Sequence, residues 1–346
     1  RGIHNARQFW FELALVFTAQ WFRSGDLRCS PLNAALAIWE HMKIYIDHNV
    51  LDALSKDHFK LEVPDTVTWI YSHETFAEIK RSGDLRFLDV LKDLKAQKLE
   101  LILDSNFRIT GDAFFHDYRD PYEFYQQWLD AISQCTTDEQ LHLQFLSRVA
   151  GGDNHQEILK HPDRIRNLMK SLLQPHGLYT SDVELEVDKV AMDIQNLVQG
   201  SMQEIGSLSD SRTLIGTGRG RAGNTSSSEN PIEALWSLVK GQCGELSIDQ
   251  YFGFDPIDKQ GYEEWPLYLG VIGCHSVLNF LGFHSDRGLN KVEKIPGILS
   301  DGAHTGMAIY CDAILSKDQK FCAKARAIYG YLGLKTQVLE SSLTHG

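Results

Sequence analysis

Short apolar runs spaced by helical segments do most to limit what this chain folds into. Ile44–Ile46, Val67–Tyr71 and Leu99–Leu103 are brief and apolar, and each reads as a buried strand. Around them, Val50–Leu54, Thr75–Lys80 and Phe87–Lys95 carry helical spacing. Alternation at this interval predicts a parallel sheet with crossover helices. The pattern returns near the end of the chain. A helix over Ala303–Tyr310 leads to a strand at Ala313–Leu315, and a helix over Lys320–Leu332 is stopped by Gly333 before a last strand at Thr336–Leu339.

The middle of the chain, 105–300, differs. Tyr122–Ile132, Glu139–Val149, Ile165–Leu173 and Val183–Val198 repeat apolar positions at helical intervals, and a further helix starts at Pro231 and runs through Leu235–Val239. Ser207–Asn230, rich in Gly, Ser, Thr and Arg, is expected to be a mobile loop. Gly216, Gly218, Gly220 and Gly223 lie in it without a preceding strand, which argues against a dinucleotide fingerprint. The expected organisation is one α/β domain from 42–104 and 301–346, split by a mostly helical insertion at 105–300. Residues 1–41 precede the first methionine, Met42, and read as an extension of amphipathic helices.

The chain carries 34 Lys+Arg against 46 Asp+Glu, a net charge of −12, with 43% hydrophobic residues. That is globular composition, not that of a disordered chain. No run approaches the about 20 apolar residues of a membrane span, and no basic segment leads into a cleavable apolar stretch. The six cysteines are scattered without a C-x-x-C pair, which predicts free thiols and a cytoplasmic setting. The acidic balance argues against indiscriminate nucleic-acid binding, although not against a metal site built from acids.

Several acids fall where parallel strands end, the edge at which such sheets bind ligands. Asp47 closes the first strand, and Asp318 follows Ser316 after the strand at Ala313–Leu315. Asp301 opens the helix before that strand, and Glu78 lies in the helix after Val67–Tyr71. Asp312 is a rival for the fourth place, but it precedes its strand, so Asp318 is preferred. Four carboxylates on one sheet edge repel unless cations neutralise them, and hard divalent ions with oxygen ligands are the natural solution.

In sequence, Asp47-His48-Asn49-Val50 and Ser72-His73-Glu74-Thr75-Phe76-Ala77-Glu78-Ile79 resemble the first two acidic motifs of PIN-domain nucleases. Asp301-Gly302-Ala303-His304 and Cys311-Asp312-Ala313-Ile314-Leu315-Ser316-Lys317-Asp318 are similar to the third and fourth. The segment Phe321–Val338 resembles that family's final helix and strand. The resemblance covers 42–104 and 301–346, not the insertion. It implies a PIN-like three-layer α/β/α fold with a mainly parallel sheet. It also implies a metal-dependent endoribonuclease in which Asp47, Glu78, Asp301 and Asp318 bind Mg²⁺ or Mn²⁺. Asn49 and Ser316 match assisting polar positions, with His304 and Asp312 as further supporting residues. RNA is the implied substrate, a toxin or defence effector the implied role, and the insertion the place for a protein partner or antitoxin.

Structural readings of the same residues stand beside this one. Thr75-x-x-Glu78 fits a capping box, and Ser316 fits an N-cap with Asp318 in the first turn. Glu74, one turn before Glu78, is a weaker candidate acid. Lys317, Lys320, Lys324, Arg326 and Lys335 reverse the chain's charge locally, and the first three are expected to meet a phosphate backbone. The main rival function is a non-catalytic PIN-like module that binds RNA or protein. A phosphatase using Asp-x-Asp is disfavoured because Asn49 stands where the second Asp belongs.

Overall fold

The computed structural model describes residues 42–56, 67–106, 108–133, 143, 146–147, 161–204, 207–218 and 220–340. Residues 1–41 and most of Glu139–Val149 lie outside them. Strand β1 (Met42–Ile46) leads into α1 (His48–Ser55), and β2 (Val67–Tyr71) into α2 (His73–Ser82) and α3 (Arg86–Asp93). Next come β3 (Gln97–Leu103), β4 (Ile109–Phe115) and α4 (Pro121–Ser133). The inserted helices are α5 (His161–Leu173), α6 (Ser181–Glu204), α7 (Leu208–Leu214), α8 (Pro231–Val239), α9 (Ile248–Phe252) and α10 (Leu267–Leu281). The chain then returns through α11 (Ile295–Ala308), β5 (Ala313–Ser316), α12 (Gln319–Leu332) and β6 (Gln337–Glu340).

The six strands form one sheet in the order β4-β3-β2-β1-β5-β6. Every pairing is parallel except β3 with β4. The chain builds outward from β1 in one direction through β2 and β3, then resumes on the other side with β5 and β6. The order therefore reverses between β1 and β5, the point at which sheets of this kind place a ligand crevice beyond the strands' carboxyl ends. Pairing of Ile44 with Ala313 and of Ile46 with Leu315 brings the ends of these two strands level.

Alternation along the strands sorts side chains onto two faces. Ile44, Ile46, Trp69 and Tyr71 pack with α1, α2, α3 and Phe124 of α4. Tyr45, Ile70 and Ile314 point the other way, into a core shared with α8 through α12. The arrangement is compatible with a three-layer α/β/α fold. Gly306 lets α10 and α11 approach closely, since a Cβ there would lie 2.8 Å from the Tyr268 ring.

Two expectations are corrected. Ile109–Phe115 was assigned to the helical stretch but forms an antiparallel edge strand, with Leu99 opposite Phe115 and Leu103 opposite Ile109. Within 207–230, expected as a loop, the chain forms α7, capped by Ser207, and a 3₁₀ turn at Gly223–Ser227. Arg212 anchors this region by donating to Phe280 O, Asn279 O and Ser285 Oγ. No helix of the described residues is long and apolar enough to cross a membrane.

Candidate functional site at the switch point

Asp47 occupies the N-cap position of α1, yet its side chain does not cap that helix. The β1–β5 register instead sets it beside Ser316, whose hydroxyl donates to Asp47 Oδ2 at 2.6 Å. Asn49 Nδ2 donates to the same oxygen and to Ser316 Oγ at 3.0 Å. Asn49 Oδ1 in turn accepts from Lys317 N at 2.8 Å. Asn49 and Ser316, predicted as assisting residues, thus tie together the two strand-to-helix junctions that flank the crevice.

Asp47 is 3% exposed. Burial pushes its carboxyl up to about 6, with His304 opposing the shift and Glu78 adding to it. Asp301, on α11, is driven well above the ordinary carboxylate range. Burial is again the main cause; Lys324 opposes it, and the charges of Asp47, Asp286 and Glu78 add to it. These two acids, far apart in sequence, feel one another's charge.

Glu78 lies in the middle of α2. Ser72, not Thr75, caps that helix by accepting from Glu74 N, which removes the capping-box explanation. Glu78 Oε2 stands 3.1 Å from His304 Nε2 and 3.3 Å from His48 Nδ1, and its Oε1 stands 3.3 Å from Arg81 Nη2. Burial raises this carboxyl, but the charge and hydrogen bond of His304, then His48 and Arg81, hold it below its usual range. His304 is fully buried, which opposes its charged form; Glu78, Asp47 and Glu74 nevertheless lift it to about 9. Its Nδ1 meets Tyr45 OH at 2.7 Å, and that hydroxyl meets Ser72 Oγ at 2.7 Å. A buried polar chain therefore runs from Ser72 through Tyr45 and His304 to Glu78. Glu74 is also buried; burial raises its carboxyl, but the hydrogen bond and charge of His73 and the charge of His304 together hold it below its usual range.

The remaining predicted residues take other positions. Asp318 is exposed and caps α12, accepting from Lys320 N at 2.7 Å and Phe321 N at 3.1 Å. Its own N–H donates to Ser316 Oγ at 3.0 Å, so it borders the crevice. Asp312 sits at the opposite end of the sheet, accepting from Lys43 N at 2.7 Å, and gives the site no support. The basic residues of 317–335 do not form one patch. Lys324 is fully buried, with Nζ 2.5 Å from Asp286 Oδ2 and 3.0 Å from Asn279 Oδ1, and does not face a substrate. Lys320 donates to Ser285 O, Arg326 pairs with Glu340, and Lys335 lies beyond the far end of α12.

Tyr45 and Ser72 are not among the residues predicted from sequence to serve the site. The available signal was Tyr45 itself, since a tyrosine on a buried strand needs a partner for its hydroxyl. Lys324, expected on the surface, falls in the inward stripe of Phe321, Ala325 and Ile328.

Carboxylate, amide and hydroxyl oxygens at the crevice are the donor types a hard divalent cation takes. Among the described residues, however, no group of three or more His, Cys, Asp or Glu side chains stands ready to hold a metal ion. The class defined by fold and site is an α/β protein with a buried acid cluster at the switch point of a mainly parallel sheet. Comparison with protein-family models, with curated proteins and with solved structures finds no match to this chain.

Proposed function

We propose that this protein is a PIN-like, metal-dependent phosphodiesterase that hydrolyses RNA. The observation that carries the reading is that Asp301 feels the charges of Asp47 and Glu78, and Asp47 that of Glu78, at the β1–β5 switch point. Burial and mutual repulsion leave two of the three needing a counter-charge. Asp47, Asp301 and Glu78 would hold Mg²⁺ or Mn²⁺, with Asp318 at the exposed rim. When bound, such an ion supplies positive charge at the phosphoryl oxygens and a water activated near neutral pH.

The chain's own groups do the positioning. Ser316 and Asn49 fix one oxygen of Asp47 and leave the other for a ligand. His304, held by Tyr45, keeps Glu78 ionised and oriented. Burial of the cluster strengthens each of these electrostatic interactions.

The test is cleavage of labelled single-stranded RNA by the full chain with Mn²⁺, with Mg²⁺ and with EDTA, beside Asp47→Asn. The reading expects metal-dependent cutting that falls by a factor of about 10² or more in the variant, as when a preorganised charge-stabilising group is lost. Equal inertness of both proteins over a range of RNAs would remove it. A non-catalytic RNA- or protein-binding module is the second reading, favoured by the engagement of Glu78 with His304, His48 and Arg81 in place of a closed donor group.

A further inference from the structure

The displaced basic residues of α12 point to a different nucleic-acid contact. Lys320 and Lys324 reach back to the turn after α10: Lys320 Nζ donates to Ser285 O at 2.7 Å, and Lys324 grips Asp286. Arg212 Nη2 donates to Ser285 Oγ at 2.9 Å, and Asp286 N donates to Asn279 Oδ1 at 3.1 Å. Three cationic side chains and an asparagine thus fasten the start of the 282–294 connection against the amino-terminal half of α12, whose cap Asp318 borders the crevice. A connection held by a buried lysine is a built element.

What it presents is basic. Arg287, Lys291 and Lys294 are exposed, and among the described residues none of them is ion-paired. The turn at Gly288, with φ +89°, brings two of them together. A Cβ at that position would lie 3.1 Å from Lys294 Cγ and 3.8 Å from Lys291 Cδ, so both lysine stems lie over one turn. Lys291 N donates to Gly288 O and Lys294 N to Lys291 O, which fixes this convergence. Glu293 is the only acid among the exposed residues of this turn, so the surface stays positive on a chain of net charge −12. Like charges held together, with no ion-pair partner among the described residues, are stabilised by an anion that spans them. The position is also suitable: Asp301 lies seven residues beyond Lys294 along α11, about 10 Å at the α-helical rise.

We infer that Arg287, Lys291 and Lys294, on the tethered 282–294 connection, form a phosphate-backbone contact that feeds single-stranded RNA to the crevice. The inference rests on the nuclease reading for its substrate class. It assigns the role expected of Lys324 to residues that the sequence reading placed in the insertion.

The probe is a fluorescently labelled single-stranded 20-mer RNA, titrated with the full chain in EDTA at several salt concentrations. Reversing all three charges (Arg287→Glu, Lys291→Glu, Lys294→Glu) should weaken binding at least tenfold. It should also flatten the salt dependence by about two in log K against log salt, as loss of three phosphate contacts on a single strand requires. The milder triple change to Gln should lie between, and reversal of exposed Lys189 and half-buried Lys259, both elsewhere on the chain, should leave binding within twofold. Unchanged affinity and slope in the triple variants, with wild-type melting behaviour, would overturn the inference while wild-type binding kept the RNA reading alive. Failure of the wild-type chain to bind RNA even at low salt would remove both.

Discussion

The two strand-to-helix junctions that flank the crevice use the same residue type in the same local position for opposite ends. At β5–α12, Asp318 is exposed and spends one oxygen on the first N–H groups of its helix, as an N-cap should. At β1–α1, Asp47 takes the equivalent place but leaves its helix uncapped, is buried, and faces across to Ser316 and Asn49. An acid at a cap position that is buried in place of capping costs the fold in desolvated charge. Burial of an acid without a local structural reward separates the junction proposed to be functional from the one that serves as a cap, and spacing alone cannot make that distinction.

The largest effect that follows is on catalysis. Asp47→Asn should lower RNA cleavage by a factor of about 10² or more. Asp318→Asn, which keeps a capping side chain, should lower it by less than tenfold in the same steady-state assay. Equal losses would dissolve the contrast between the junctions.

Next comes the framework behind the second junction. Lys324→Met removes one partner of a buried ion pair and should cost about 3 kcal/mol in urea unfolding. Arg326→Met, two residues on and exposed with its Glu340 partner, should change stability by well under 1 kcal/mol. Similar costs for both would mean that Lys324 reaches water.

Removing the two acids should also move stability in opposite directions, Asp47 through its buried charge and Asp318 through its cap. The folded carboxyl of Asp47 titrates at about 6, above its ordinary 3.8, so its ionised form is disfavoured by folding. The penalty is absent below pH about 4, grows through pH 6 and is complete above it. Asp47→Asn should therefore raise metal-free stability by about 1–3 kcal/mol at pH 8 and leave it unchanged near pH 4. Asp318→Ala should instead lose about 1 kcal/mol with its cap. Thermal melts of the two variants across this pH range would show it. His304 adds an alkaline limb: its contribution is complete below pH 6.5 and is lost as pH rises through 9.

The sequence made the framework legible wherever local pattern and burial agree. Strands β1, β2 and β5 are short apolar runs whose alternate residues both find cores, and α12 ends at Gly333, which adopts the left-handed conformation that glycine favours. Strand β4 escaped because Ile109-Thr-Gly-Asp-Ala-Phe-Phe is an edge strand with one buried position in seven and no continuous apolar run. The acids were visible as strand-end residues, and Asn49 and Ser316 with them. Their division of labour was not, because it depends on partners such as His304 and Glu78, 226 residues apart. Lys324 misled for a related reason: a charged residue read as solvent-facing was drawn inward by Asp286 and Asn279, which sit on the inserted elements.

The central claim is that the acids at the crevice form a cation site, and calorimetric titration of the full chain with Mn²⁺ at pH 6 tests it most directly. Runs in two buffers of different ionisation enthalpy report the protons displaced. The account predicts saturable binding with proton release from the raised carboxyls, abolished in Asp47→Asn/Asp301→Asn and retained in Asp318→Asn. Absence of binding in the wild-type chain, or binding unaltered in the double variant, would contradict it.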